Sequence, residues 1–121
     1  MNWVRDEEQW MEKKGPRHRR GRRRLHIIKE LVSSRQYQYS AKIQKFIEEG
    51  FFDLEDIERC ILSATAIQKV EPDELESAVD GCKYTILGFD TQGMSFYTCG
   101  KLIRNDEAQQ LYFFITAHEQ E

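Results

Sequence analysis

The last third of the chain, residues 83–121, constrains the fold most. It reads KYTILGFDTQGMSFYTCGKLIRNDEAQQLYFFITAHEQE. Three runs rich in Tyr, Phe, Ile and Thr, at 84–89, 95–103 and 111–118, have the composition that strands favour. Asp90-Thr91-Gln92-Gly93 separates the first two, with an Asp to start a turn and a Gly for positive φ. Residues 104–110 form a polar loop of hairpin-connection length between the second and third. The pattern predicts an antiparallel meander with everything upstream packed on one face. Alternation puts Tyr97, Cys99 and Lys101 on one face of the middle strand and Phe96, Thr98 and Gly100 on the other. Thr116-Ala117-His118-Glu119 brings an imidazole to the end of the last strand.

Helical spacing dominates upstream. In residues 1–14, Trp3, Val4, Trp10 and Met11 form one stripe that predicts a short amphipathic helix ended by Gly15-Pro16. That segment docks on its own body, docks on a second copy as a homodimer contact, or is disordered; the sequence leaves all three open. Leu25, Ile28, Leu31 and Val32 predict a further helix, and residues 36–39 a short extended piece. Ser40 reads as the N-cap of a helix over 41–49 with Ile43, Phe46 and Ile47 on its apolar face, stopped by Gly50. Asp53 and Asp56 read as a capping-box variant opening a helix over 54–63, with Leu54, Ile57, Ile61 and Leu62 inward. A first strand is expected within 64–70, and an acidic connector, with one helical turn through Leu75, Ala78 and Val79, over 71–81. Helices first and strands after predict an α+β fold, N-terminal helices on an antiparallel β-sheet. The expected division is an N-terminal helix and Arg-rich arm over 1–24 and a single domain over 25–121.

Charge is unevenly spread. Residues 1–24 carry nine Lys and Arg against four Asp and Glu, a balance of +5, while residues 25–121 carry nine against seventeen, a balance of -8. Arg17, Arg19, Arg20, Arg22, Arg23 and Arg24 crowd into eight positions with His18. Mutual repulsion opposes burying them, so they predict a solvated arm or an exposed helix start. Such a run binds polyanions, nucleic-acid phosphates first among them, or pairs with the acidic body. No aromatic residue interleaves the arginines, so base stacking within the run is not expected.

Other chemistry is sparse. No apolar run approaches the roughly 20 residues of a membrane span, and residues 1–10 lack the apolar stretch of a secretory signal. A cytoplasmic protein is expected, with no membrane partner. Cys60, Cys82 and Cys99 are odd in number and widely spaced, which argues for free thiols over a disulfide framework or zinc pairs. No phosphate-binding Gly loop, CxxC or HExxH occurs, so no cofactor and no metal is expected. What remains is a group of candidates for metal-independent phosphodiester chemistry: His118 as acid or base, Lys42 and Lys101 as phosphate-stabilising cations, and Tyr97 to position a base or the 2′-OH.

Four segments carry a resemblance. They are Tyr39-Ser40-Ala41, Gly50-Phe51-Phe52-Asp53-Leu54-Glu55-Asp56-Ile57, Tyr84-Thr85-Ile86-Leu87-Gly88 and Ile115-Thr116-Ala117-His118-Glu119. Residues 39–119 resemble a domain-of-unknown-function family of small prokaryotic proteins, abundant in cyanobacteria, that looks like a distant relative of the RelE/BrnT-like toxins of toxin–antitoxin systems. The resemblance implies a helix pair followed by an antiparallel sheet. It also implies a toxin-like mRNA-cleaving ribonuclease with an antitoxin partner, the arginines holding RNA or an acidic antitoxin segment. The helix histidine usual near position 40 is absent here, with Lys42 nearby. The alternative is a non-enzymatic module that uses the arginines to bind nucleic acid or protein. The acidic body leans toward that alternative, because RNA-cutting toxins of this type are basic overall.

Overall fold

A computed structural model describes the backbone of residues 15–119 and the side chains of residues 21–119. The expected Trp-bearing helix over 1–14, and the homodimer contact through it, lie outside the described residues.

Eight elements follow in order: α1 (Gly15–Ser33), β1 (Tyr37–Tyr39), α2 (Ala41–Glu48), α3 (Leu54–Ser63), β2 (Ile67–Pro72), β3 (Cys82–Phe89), β4 (Ser95–Arg104) and β5 (Gln110–Glu119). The strands form one sheet in the order β1-β5-β4-β3-β2. Neighbours pair antiparallel except β1, which runs parallel to β5 through Tyr37↔Tyr112 and Tyr39↔Phe114. The architecture is the expected α+β, with the helices packed on the sheet. The meander strands fall where the aromatic runs put them. The sheet is mixed, however, and not purely antiparallel. Residues 37–39 complete its edge because Ser40 N–H donates to the Phe114 carbonyl at 3.0 Å and its Oγ donates to the Ile115 carbonyl at 2.8 Å.

Gly15-Pro16 opens α1 and does not terminate a preceding helix. Proline fits there, since a first-turn N–H has no intrahelical acceptor. Helix α1 runs unbroken past residues 24 and 25, so the arginine run is its start and no backbone break divides arm from domain. Its last turns bury Leu25, Ile28 and Val32 against the sheet. Ser40 caps α2 as expected, accepting from Ile43 N–H at 3.2 Å. On α3, Asp53 N–H donates to Asp56 Oδ2 at 2.9 Å, one half of the expected box. Asp56 Oδ1 accepts from Thr91 N–H and Oγ1–H at 3.0 and 2.7 Å, which ties α3 to the β3–β4 turn.

The core lies between the helices and one sheet face: Ile43, Phe52, Ile57, Cys60 and Ile61 against Tyr84, Ile86, Phe96, Tyr112, Phe114 and Ala117. Helix α3 sits close on β3 because Gly88 has no side chain. A Cβ there would fall 2.0 Å from the Cys60 carbonyl oxygen. Leu62, expected inward, is exposed on the outer face of α3. The connector over 73–81 forms turns, not a helical turn, and Pro72 belongs to β2. Cys60, Cys82 and Cys99 are free. No described helix is long and apolar enough to cross a membrane.

Candidate functional site

Strand β4 carries the candidates on its helix-free face. Phe96, Thr98 and Leu102 are buried toward the helices, and Tyr97 and Cys99 are half-buried on the other side, as alternation requires. Strand β5 does not alternate strictly. Its register with β4 slips, Cys99 pairing with Thr116 and Gly100 with Phe114, so Ile115 is an extra residue. Tyr112 and Phe114 face the helices before the bulge, and Ala117 faces them after it. Unbroken alternation from Phe114 would have turned His118 into the core. The bulge turns it onto the helix-free face, opposite Tyr97 in the register.

There the two side chains meet. Tyr97 Oη and His118 Nε2 share a hydrogen bond, and the rings lie edge to face with centroids 4.2 Å apart at 62°. His118 Nδ1 lies 3.1 Å from the Glu119 carbonyl oxygen, which can only accept. A neutral imidazole therefore carries its proton on Nδ1 and accepts at Nε2, and Tyr97 Oη–H donates. The couple is a phenol with a base on its proton. It is exposed at His118 and half-exposed at Tyr97.

The expected cations are not part of that couple. Lys101 shares the face but is only 4% exposed, and its Nζ donates to both carboxylate oxygens of Asp73 at 3.2 Å. Asp73, 6% exposed, also accepts from the N–H groups of Ser77 and Ala78 at 2.9 Å each and of Leu75 at 3.3 Å. Burial alone raises its pKa, but these hydrogen bonds and the Lys101 ammonium prevail and hold it below the ordinary carboxylate value. The loop over 73–81 thus covers one end of the helix-free face and sequesters Lys101. Lys42 is exposed on the first turn of α2, and no hydrogen bond or ion pair joins it to Tyr97 or His118.

The arginine run lies at the other end of the molecule. Arg24 Nε is 3.9 Å from Asp80, and its guanidinium sits 5.9 Å over the Tyr84 ring. Tyr84 pairs with Gly100, whereas Tyr97 pairs with Leu87, three residues along and on the opposite face. That separates the levels by about 10 Å along the strands. Arg22 and Arg23 are exposed, and nothing lies within 4 Å of where a Gly21 Cβ would stand, so α1 projects free of the core there. Side chains of Arg17, Arg19 and Arg20 lie outside the described residues.

Cys60 is buried with its thiol pushed up to about 12, chiefly by desolvation. Cys99, half-buried beside Tyr97 on the helix-free face, is raised chiefly for the same reason. Neither is an activated nucleophile. A shallow depression of about 230 Å³ between α3 and the β3–β4 turn is lined by Glu55, Glu58, Arg59, Leu62 and Thr91, with more acid than base for a phosphate. No described group of His, Cys, Asp and Glu has the makings of a metal site.

The Tyr97–His118 partnership and the Asp73–Lys101 pair are the two features that sequence reasoning missed. The first needed the bulge at Ile115. The second had one signal, Lys101 within an otherwise apolar strand, a position where a cation must find a carboxylate. Comparison with protein-family models, with curated proteins and with solved structures finds no match to this chain.

Proposed function

We propose that this chain is a nucleic-acid-binding module whose arginine-rich helix start holds phosphates. One observation carries the reading. The run from Arg17 to Arg24 occupies the first turns of α1, with no acidic residue in the first turn. That is the positive end of the helix dipole, where each cation is unfavourable by about 0.3–1 kcal/mol, and like charges three and four residues apart repel further. Phosphates relieve both penalties at once, since they suit helix N-termini and pair with arginine in bidentate fashion. The buried turns from Leu25 onward hold the segment in place. We place the protein in the cytoplasm, where its three free thiols suit a reducing environment.

The test is anisotropy titration of a fluorescent oligouridylate with the full chain and with Arg22→Glu/Arg23→Glu. Charge reversal at two exposed positions is expected to abolish binding. Binding that survives it would overturn the reading.

A second reading, a metal-independent ribonuclease of the RelE/BrnT type, has the Tyr97–His118 couple in its favour. Tyr97 Oη would take the 2′-OH proton as its own passes to His118 Nε2. The absence of a cation from the described couple ranks this reading second, because the pentacoordinate phosphorane would lack a partner. Cleavage of mixed RNA in EDTA that His118→Ala abolishes would raise it to first. An antitoxin or other acidic protein segment would compete with RNA for the same arginines.

A further inference from the structure

We infer that the open end of the helix-free sheet face is a stacking platform for the unpaired bases of a single-stranded nucleic acid. The inference rests on the nucleic-acid reading above and adds a second, base-reading surface to it. The loop over 73–81 covers the Lys101 end of the face. The hairpin end is uncovered and carries three rings. Tyr97 and His118 are register partners, and Phe89, 50% exposed, lies two residues beyond Leu87, the β3 partner of Tyr97. Same-face neighbours at such positions lie about 5–8 Å apart. The hydrogen bond between Tyr97 and His118 fixes two of the rings before any ligand arrives, which lowers the ordering cost of stacking.

The occupant follows from what the two surfaces offer. The arginines offer charge and no aromatic group; the platform offers rings and little charge. A duplex keeps its bases inside and could use only the first. A single strand can place its phosphates on the arginines and its bases on the rings, and every base has a face to stack. The two surfaces lie on opposite sheet faces about 10 Å apart along the strands, so only a strand of several nucleotides reaches both.

The experiment compares three labelled ligands on the full chain: oligouridylate, an abasic strand of equal length and charge, and a duplex of equal length. Oligouridylate is expected to bind at least tenfold more tightly than the abasic strand. Phe89→Ser and Tyr97→Leu should each weaken oligouridylate by about tenfold, leave the abasic strand unchanged and leave the salt dependence unchanged. Unchanged abasic binding also shows that the variants are folded. Arg22→Ala/Arg23→Ala should weaken all three ligands. Equal affinity of the wild type for oligouridylate and the abasic strand would overturn the platform while leaving the arginine reading intact. So would a dimer in sedimentation that Phe89→Ser dissociates, which would give the face to a second copy. Failure of every ligand to bind the wild type would remove both.

Discussion

Two polar pairs stand four residues apart on the same face of β4 and have opposite characters. At one end, Lys101 and Asp73 are almost wholly buried, and Asp73 accepts from three backbone N–H groups besides the ammonium. At the other, Tyr97 and His118 share one hydrogen bond at the surface and leave their ring faces open. A cation among apolar neighbours suggests chemistry, yet here the cation is the structural member. Its charge is matched by a single carboxylate, and the pair pins the β2–β3 loop over the sheet. The Tyr97–His118 pair holds nothing else in place, so its groups remain available to a ligand.

The largest effect that could break this contrast is at Lys101. Lys101→Ala leaves the Asp73 carboxylate buried without its counter-ion and is expected to cost about 3–5 kcal/mol in urea unfolding. His118→Ala, at the exposed end, should stay within about 0.5 kcal/mol. Equal losses would erase the distinction.

Acid sharpens the contrast next. The pKa of Asp73 is depressed in the folded state, so its contribution is complete above the unfolded value near 4 and is lost as pH falls through the lower folded value. Asp56, holding the β3–β4 turn to α3, is depressed by its hydrogen bonds against the raising effect of burial, and the sign is the same. Urea midpoints should therefore fall below about pH 4. In Asp73→Asn the fall should be smaller, because that linkage is gone. An unchanged acid profile in Asp73→Asn would contradict the assignment.

The smallest effect is at Tyr97→Phe, which keeps the ring and removes the O–H. Stability should change by about 1 kcal/mol or less, and base stacking should persist. A ribonuclease that used the phenol would lose its cleavage with the same substitution.

Most of the fold was legible because local chemistry and global packing agree. The aromatic runs, the Asp90–Gly93 turn, Ser40 as a cap and Gly50 as a stop each specify one local geometry, and the structure uses them. The parallel pairing of residues 37–39 was not legible, since three residues carry no alternation to read and their place is set by Ser40 reaching the Phe114 and Ile115 carbonyls. Gly15-Pro16 was misleading, because the same dipeptide ends one helix or starts the next. At the candidate site, the shared face of Tyr97 and Lys101 followed from period two. The meeting of Tyr97 with His118 did not, because it depends on one inserted residue at Ile115, and sequence alternation has no mark for a bulge without glycine.

The most direct test of the central claim is the salt dependence of oligouridylate binding by the wild type and by Arg22→Ala/Arg23→Ala. If these exposed arginines hold phosphates, log K should fall linearly with log salt. The double substitution should make that slope shallower by about 0.7 for each phosphate that is no longer neutralised. Equal slopes for the two proteins, or no binding by the wild type at low salt, would contradict the account.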